Sequence, residues 1–379
     1  MGWNKKLLRY LNFNIPLTVL LLILIGLVVI SSAAEVNKVD SAGLFYLQKQ
    51  IVSVVLGIIA VVVLQFFDYR IFKEYAPFIY SFMILLLTVI LFFGRTIAGG
   101  KRWLSIGPFN IQPAELAKIM LILVLAAILD NNSDDLGYLK GMFFPSIAAF
   151  IPFSLIILQN DLGTALVLFF IYLVMMFAGG GNFKIMAAVF GGGFLIVVLI
   201  ITAHVVIDTP LPFLQEYQLN RLIVFINPDV DPYGSGYNII QSKIALGSGR
   251  LTGKGLFAGT QNQLNFLPEK HTDFIFSVIG EEFGFIGSGA VILLYLFLLW
   301  QFMNVAENAR DRYGYLVVVG IMAMFLFHIL ENIGMTMGIM PITGIPLPFI
   351  SYGGTFMATS LLAVGIVINV NLRKNKIIF

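Results

Sequence analysis

The chain has 379 residues, of which 59% are hydrophobic and only 11% are charged. Soluble domains carry about a quarter of their residues as charged ones, so this composition excludes a water-soluble fold and predicts a protein embedded in lipid. The absence of cysteine excludes disulfides and thiolate metal ligands. Three histidines far apart in sequence (His204, His271 and His328) argue against a His-rich metal site.

The first element is an apolar run at 15–34, preceded by Lys5, Lys6 and Arg9. A secretory signal peptide begins in the same way. This run, however, is long enough to cross roughly 30 Å of hydrocarbon, and many further spans follow it. We therefore predict that it is the first transmembrane helix.

The apolar runs predict an all-α polytopic membrane protein, because a segment in lipid must satisfy its backbone polar groups internally, as a helix does. The ten predicted spans are 15–34, 50–67, 77–94, 114–130, 141–158, 163–179, 185–206, 284–303, 314–334 and 354–371. An even number of spans puts both termini on one side. Lysines and arginines on that side outnumber those in the short loops of the other side, so the positive-inside rule predicts that both termini are cytoplasmic.

The unusual sequence lies in three segments on the predicted outer side. They are a loop at about 95–113, a large loop between helices 7 and 8 at about 207–273, and a loop at about 335–353 before helix 10. The last contains TGIPLPFISYGG, whose prolines and glycines exclude a plain helix. Since non-helical backbone in a membrane is tolerated where it lines a cavity, we predict a re-entrant outer loop. No repeat divides the chain, so we predict a single membrane domain over 1–379.

Positive charge in the first outer loop opposes the inside rule. Lys101 and Arg102 stand beside Trp103, directly after two glycines. Cations placed against the topological bias suggest attraction to an anionic group, and phosphate is a common partner of arginine and lysine. The alternative is contact with lipid headgroups, with Trp103 as an interfacial anchor.

Two polar sites follow at the predicted ends of spans. In QPAELAK, from Gln112 to Lys118, Glu115 and Lys118 are three residues apart and share a helix face. They could lock helix packing as an ion pair, which does not exclude that they line a cavity. Asp161 lies in a short outer turn, where it could cap the next helix.

The large outer loop is basic and contains two recognisable pieces. GSGRLTGKG is rich in glycine and could bring backbone N–H groups to an anion. YNIIQSKIAL has the apolar spacing of a helix and could lie at the membrane interface as an amphipathic piece.

The stretch LPEKHTDFIFSVIGEEFG gathers charge at the edge of an apolar run. Asp273 is the last polar residue before FIFSVIG, so it is either a helix cap or a partly desolvated carboxylate with the raised pKa of a general base. On a continuous helix, Glu281 would lie about 12 Å deeper along the axis than Asp273. A glycosidase pair needs carboxyl groups roughly 5–9.5 Å apart, so we predict one principal carboxylate, with Glu281 and Glu282 in supporting roles.

Taken together, KRWLSIG, QPAELAK, NDLGTA, GYNIIQSKIALGSGRLTGKG, FLPEKHTDFIFSVIGEEFGFIG and TGIPLPFISYGG resemble the SEDS family (shape, elongation, division and sporulation) of peptidoglycan polymerases. The resemblance covers nearly all ten spans. The stretch GTQNQLNFLPEKHTDFIF looks more like the members that act in rod elongation than like those that act in division.

The resemblance implies a glycosyltransferase that polymerises lipid II on the outer face of the bacterial plasma membrane. The growing glycan would be the donor, and the 4-hydroxyl of the incoming GlcNAc would attack MurNAc C1. Asp273 corresponds to the family's essential aspartate and is the expected catalytic residue. The expected substrate-binding residues are Lys101, Arg102, Trp103, Gln112, Glu115, Lys118, Asp161, Arg221, Gln241, Ser242, Lys243, His271 and Ser351. The expected supporting residues are Glu269, Glu281 and Glu282.

The resemblance also implies partners. The family works with a class B penicillin-binding protein, a transpeptidase with one membrane helix, and with other membrane proteins of the elongation complex. Nucleic acid is not expected. No metal site and no cofactor are required by the sequence, although a divalent cation, Mg or Mn, could assist the departure of pyrophosphate.

Two other functions stay open at this point. A transporter that flips the lipid-linked precursor would favour polar sites near the membrane midplane, and Glu331 adds to the charges within predicted spans. A catalytically silent scaffold is the third hypothesis. The concentration of polar residues toward one face favours the enzyme.

Overall fold

The computed structural model describes residues 13–34, 41–97, 100–106, 109–132, 135–189, 191–193, 202, 221 and 223–374. Seven of the described helices are long and apolar enough to cross a membrane. The helices are α1 (Asn14–Ala33), α2 (Ser41–Leu64), α3 (Ile71–Glu74), α4 (Ala76–Phe93), α5 (Pro113–Asn131), α6 (Leu139–Leu158), α7 (Leu162–Ala178), α8 (Ser235–Ser248), α9 (Thr260–Gln263), α10 (Ile275–Glu307), α11 (Arg312–Met337) and α12 (Gly354–Leu372).

A described helix lies at nine of the ten predicted spans. At the remaining span, 185–206, the residues 185–189 and 191–193 are helical, and most of the other residues lie outside the described ones. Two helices begin about nine residues before their predicted starts, α2 at Ser41 rather than 50 and α10 at Ile275 rather than 284. The added turns contain or adjoin polar residues, and tertiary contacts satisfy them. Gln50, for example, bonds the backbone of residues 351 and 353.

The loop at 95–113, which was predicted to lie on the outer side, contains a small sheet that the sequence analysis did not predict. Strands β1 (Arg95–Ile97), β2 (Gly100–Ile106) and β3 (Phe109–Ile111) pair antiparallel in the order β1-β2-β3. Short segments that contain glycine or proline between candidate strands are a signal for such hairpins. The sheet leads directly into α5, so it fixes the cations of β2 relative to the helix bundle.

Helix α10 is bent at Gly284, whose φ of 65° and ψ of −162° are not helical. The two residues after the bend donate their backbone N–H groups to Arg250 O and Leu251 O. Thirty-three helical residues would measure about 50 Å, whereas the hydrocarbon core is about 30 Å thick. The bend therefore leaves 285–307 as the crossing segment.

The part of α10 before the bend lies at one end of the bundle. Glu282 accepts a hydrogen bond from Ser32, at the carboxyl end of α1. Gln301 Nε2 donates to Thr18 Oγ1, near the start of α1, at 3.2 Å. The expectation that Glu281 lies deeper than Asp273 is therefore wrong, because the helical turns that precede the bend run beside the carboxyl end of α1 instead of down into the bundle.

Helix α1 begins and α12 ends at the same face. Thr18 in α1 contacts Gln301, which is near the end of α10. Arg373, just after α12, lies 3.8 Å from Asp68, and the tyrosine that follows Asp68 donates its hydroxyl hydrogen to Asp311, just after α10. These contacts put the two ends of the described chain on one side of the bundle.

The segment between α11 and α12, residues 338–353, is not helical and enters the bundle. The Phe349 ring stacks on Phe325, 5.3 Å between centroids. Phe325 is twelve residues, or about 18 Å, before the end of α11. Tyr295 of α10 donates its hydroxyl hydrogen to Pro348 O. Side chains of the surrounding helices thus satisfy backbone groups that lipid could not.

Gly26 permits this entry, because an ideal Cβ at that position would lie 2.6 Å from Phe349 O. We expect Gly26→Ala to lower the midpoint of thermal unfolding in detergent. The added methyl group would clash with a backbone oxygen, which cannot move away by a change of rotamer as a side-chain atom can. Gly289→Ala in α10 is the matched control, because its Cβ would meet no atom within 4 Å. Alanine gains about 0.8–1.0 kcal/mol of helix propensity over glycine, so the control should be neutral or stabilising. Equal midpoints for the two variants would contradict the close approach.

Candidate active site

Asp273 lies in the turn that precedes α10, and three neighbours fix the backbone of this turn. Asn332 Nδ2 of α11 donates to Asp273 O at 2.8 Å. Ser351 Oγ donates to Thr272 O at 2.7 Å, and Tyr352 N donates to His271 O at 2.9 Å. Asn332 is five residues before the end of α11, or about 7.5 Å. The Asp273 turn is therefore recessed between α11 and the entering segment.

The surroundings of the half-buried Asp273 favour its protonated form. Burial, and then the negative charge of Glu269, raise the pKa of Asp273 from 3.8 to about 6, against the opposing effects of the Thr272 hydrogen bond and of the Arg221 and Arg102 cations. A carboxyl group with this pKa is ionised at neutral pH but accepts a proton far more readily than an ordinary aspartate does. Asp273 has the properties of a general base.

Strand β2 points one of its two cations toward this region. Successive strand residues face opposite sides, so Arg102 faces away from Lys101 and Trp103. Arg102 Nη1 lies 3.5 Å from Asp161 Oδ1, and its Nε is buried without a hydrogen-bond partner among the described residues. Lys101 is exposed, and Trp103 is half-buried opposite Arg95 in the hairpin.

Asp161 connects β2 to the starts of α5 and α7. Its Oδ1 accepts from Thr164 N at 3.2 Å, which caps α7, and its Oδ2 accepts from Gln112 Nε2 at 2.9 Å. Asp161 therefore caps α7 and also contacts the polar side chains of Gln112 and Arg102.

Glu115 and Lys118 belong to a buried cluster that also contains His328, a residue that the sequence analysis did not connect to them. Lys118 Nζ lies 2.7 Å from Glu115 Oε2 and 2.9 Å from His328 Nε2. His328 Nδ1 is 2.7 Å from Met324 O; since a carbonyl only accepts, Nδ1 carries the hydrogen and Nε2 accepts from Lys118. Phe356 stacks on His328 and lies beneath the ammonium group. This is a closed, paired cluster rather than an open channel.

Glu281 and Glu282 bind the large loop that precedes α10 to this helix. Glu281 Oε1 accepts from Lys254 Nζ at 2.7 Å and from Gln261 N at 2.9 Å, and Oε2 accepts from Asn262 N. Glu282 Oε1 accepts from Asn262 Nδ2 and from Ser32. Both carboxylates therefore accept hydrogen bonds from protein donors, although Glu282 Oε2 is buried without a hydrogen-bond partner among the described residues.

The glycine-rich stretch GSGRLTGKG packs against the backbone of α10. An ideal Cβ at Gly249 would lie 1.9 Å from Gly280 O, and one at Gly253 would lie 2.1 Å from Glu282 O. The N–H groups of Lys254 and Gly255 donate to Glu281 O and Glu282 O, both at 3.0 Å. These glycines therefore allow close contact between the loop and α10, and the two N–H groups do not face an anion.

The predicted amphipathic stretch forms α8, which buries Gly236, Ile239, Ser242 and Ala245. Ser242 Oγ donates to Thr336 O and is 2.6 Å from Ser277 Oγ, so its hydroxyl joins three helices. Lys243 is exposed, and its Cε and Nζ would crowd a Cβ on Gly338 at the carboxyl end of α11, where a cation is favoured. Gln241 is half-buried on the same helix.

The other expected residues surround the Asp273 turn. His271 lies between Tyr46, 4.7 Å between ring centroids, and Tyr352, and burial lowers its pKa. Ser351 holds the turn as described above, and Glu269 is exposed. Arg221 Nη1 donates to Thr343 O at 3.4 Å. Among the residues described, no cluster of three or more His, Asp or Glu side chains could hold a metal ion.

The buried cluster gives a stability prediction. Lys118 is 2% exposed, so Lys118→Met leaves Glu115 buried without its cation and should cost about 3–5 kcal/mol of unfolding free energy. Lys73→Met is the matched control. Its pair with Asp130 is as short, 2.6 Å, but the lysine is 34% exposed, and such pairs contribute about 0–1 kcal/mol.

Chemical denaturation in detergent measures both variants. Comparable losses would contradict the description of the Glu115–Lys118–His328 cluster as a desolvated structural unit. Glu115→Gln added to Lys118→Met should recover part of the loss, because it removes the uncompensated charge.

Known proteins match this chain over almost its full length. The family model of the cell cycle proteins FtsW, RodA and SpoVE matches residues 12–376. The peptidoglycan glycosyltransferase RodA of Treponema pallidum (strain Nichols) is 35% identical over 425 residues, covering 96% of this chain and 98% of the relative. Stage V sporulation protein E of Bacillus subtilis (strain 168) is 36% identical over 358 residues, with 93% and 94% covered.

A solved structure is also similar. It was described as showing the structural coordination of polymerization and crosslinking by a peptidoglycan synthase complex, and it superposes with a TM-score of 0.80 at 29% identity, covering 97% of this chain and 99% of the other. The apolar helices and these matches identify an integral membrane protein. The chain belongs to the SEDS family, which includes FtsW, RodA and SpoVE.

Proposed function

We propose that this protein is a peptidoglycan glycosyltransferase that polymerises lipid II into glycan strands during cell elongation and the maintenance of cell shape. The observation that carries the proposal is Asp273, a recessed carboxyl group whose pKa of about 6 suits a general base. The full-length similarity to peptidoglycan glycosyltransferases supports the same reaction class.

In the proposed reaction, Asp273 takes the proton from the 4-hydroxyl of the GlcNAc of incoming lipid II. The oxygen forms a bond to C1 of the donor MurNAc, and the bond from C1 to the phosphate oxygen breaks. Undecaprenyl pyrophosphate leaves with the electron pair, so the configuration at C1 inverts. Pyrophosphate is a good leaving group, and the reaction therefore needs one base and no second carboxylic acid.

The cations near Asp273 support binding of an anionic substrate. Arg102 and Arg221 are close enough to lower the pKa of Asp273, and a planar guanidinium group matches the geometry of phosphate oxygens. The Arg102 side chain is 25% exposed, so part of its guanidinium group faces the space where such a ligand would bind. Lys101 on the exposed face of β2 adds positive charge at the rim.

We infer that this site faces outward and that both termini are cytoplasmic. The charge bias of the loops supports this orientation, and so does the position of the start of α1 and the end of α12 on the face opposite Asp273. On this reading, the segment 338–353 is a re-entrant loop that enters from the outer side.

We also infer a role in elongation rather than division or sporulation, on the basis of the stretch from Gly259 to Phe276. Overall identity does not separate these classes, since the RodA and SpoVE relatives are equally similar. A class B penicillin-binding protein is the proposed partner, because the similar solved structure concerns a complex that coordinates polymerization and crosslinking.

Asp273→Asn tests the base directly. General base catalysis contributes about 10²- to 10⁴-fold, so we expect a loss of that size in the rate of glycan formation from purified lipid II, with the partner present. Glu307→Gln is the matched control, because it neutralises an exposed carboxylate at the far end of α10. If a folded Asp273→Asn protein kept the wild-type rate, Asp273 would not be the base. Lipid II flipping in liposomes without any polymer would favour a transporter instead.

The pH dependence gives a second test. The base must be ionised, so kcat/KM should fall as the pH drops through about 6, the pKa of Asp273. The charge of Glu269 helps to raise this pKa. Glu269→Gln should therefore move the acid limb to lower pH, whereas Glu307→Gln should leave it in place. An acid limb near pH 4 in the wild type, or one that Glu269→Gln moves upward, would contradict the assignment.

A further inference from the structure

The turn Thr343–Ile345, at the start of the re-entrant segment, lies where several parts of the site meet. Thr343 O accepts from Arg221. Thr343 O would also lie 3.0 Å from a Cβ on Gly163, in the first turn of α7 directly after the Asp161 cap. Ile345 O accepts the second N–H of the Asn332 amide that also bonds Asp273 O, at 2.8 Å. A shift of this turn would move the surroundings of both Asp273 and Arg221.

Gly344, in the middle of the turn, lies directly beside the Asp273 carboxylate. An ideal Cβ at Gly344 would be 3.1 Å from Asp273 Oδ2. Its φ of 75° is in the left-handed region, where a side chain is disfavoured. The backbone of the turn thus forms one wall of the space in which the carboxylate sits.

Glu331 holds this turn from within the bundle. It belongs to α11, is 4% exposed, and accepts a hydrogen bond from Thr343 Oγ1 at 2.8 Å. Burying a carboxyl group is costly unless it is hydrogen-bonded. A position that served packing alone would be filled at lower cost by an apolar residue. The mechanism proposed above makes no use of this side chain, and the contact it makes is with the Thr343 turn.

We propose that Glu331 and Thr343 are positioning residues of the glycosyltransferase. Their hydrogen bond fixes the Thr343–Ile345 turn, and the turn sets the Asp273 carboxylate against the acceptor hydroxyl and the Arg221 guanidinium against the anionic donor. The inference rests on the proposed function. It predicts that the contribution of Glu331 is an oxygen acceptor at the right place and does not depend on negative charge.

A double-mutant cycle tests the pair. Thr343→Val and Glu331→Met each remove one partner, and the double variant removes both. A misplacement of about 1 Å can cost 10²-fold in rate, so we expect each single variant to lower kcat roughly 10- to 100-fold with KM changed less than about threefold. The double variant should be no slower than the slower single variant, because one interaction is lost in all three.

Conservative variants separate positioning from charge. Thr343→Ser keeps the hydroxyl and Glu331→Gln keeps an acceptor oxygen, so both should restore most of kcat. If Glu331→Gln were as slow as Glu331→Met, the charge itself would matter and the inference would be wrong. Multiplicative losses in the double variant would equally overturn it.

Gly344→Ala gives an independent readout that does not remove a hydrogen bond. It should lower kcat at least tenfold, because the new Cβ contacts Asp273 Oδ2. Gly180→Ala is the matched control: its φ of 91° is also left-handed, but a Cβ there would meet no atom within 4 Å. Equal kcat for these two variants would overturn the inference even if the buried Glu331 variants failed to fold.

All variants are assayed as the full chain with its partner and purified lipid II. A wild-type protein that makes no glycan would refute the proposed function itself. An active wild type with unaffected Thr343→Val and Gly344→Ala variants would refute only the positioning role.

Discussion

The amide of Asn332 makes two hydrogen bonds on which the rest of the site depends. One N–H goes to Asp273 O and the other to Ile345 O, both at 2.8 Å. A single side chain of α11 thereby ties the turn before α10 to the segment between α11 and α12. Neither backbone stretch is helical, and lipid offers no partner for such groups. Because helices supply those partners, irregular backbone can be held deep enough to shield a carboxyl group.

Charged groups inside the bundle, like the irregular backbone, need hydrogen-bond or ionic partners from the protein itself. The ionisable groups inside the bundle are occupied by protein partners: Glu115 by Lys118, Lys118 by His328, and Glu281 by Lys254. Breaking such a buried pair is costly, so these groups are suited to holding structure. Asp273 differs, because its backbone is tightly bound while burial and Glu269 disfavour its charge. The site thus holds the Asp273 backbone in a fixed position, while the raised pKa of its carboxyl group favours uptake of a proton.

The sequence predicted most helices, because long apolar runs in lipid have one stable backbone conformation. It placed the starts of α2 and α10 about nine residues too late, because the turns it left out contain or adjoin polar residues, such as Glu281 and Gln50, that are satisfied only by tertiary contacts. The bend at Gly284 was also missed, since it depends on carbonyl groups of the outer loop. The glycines and the proline between the strands were the signal for the β1–β3 sheet, but β2 contains two cations followed by two apolar residues and so lacks regular alternation.

Within the site, the sequence identified Asp273, Arg102 and Asp161 as candidates because they are charged residues in the predicted outer loops. The residues that fix them were not identifiable in this way. His328 is 210 positions from Lys118, and Asn332 is 59 positions from Asp273. No local pattern joins partners at such separations, and a buried His or Asn resembles any other polar residue in a membrane helix. Only the packing of α11 against α5 and α10 brings them together.

A structure of the protein bound to an unreactive lipid II analogue in the acceptor position would test the central claim most directly. General base catalysis requires the acceptor oxygen within about 2.6–3.2 Å of the base. We predict the 4-hydroxyl oxygen of GlcNAc at this distance from a carboxylate oxygen of Asp273, with the donor pyrophosphate position beside Arg102 and Arg221. A bound acceptor whose 4-hydroxyl lies nearer to Glu269 or Glu331 than to Asp273 would contradict it.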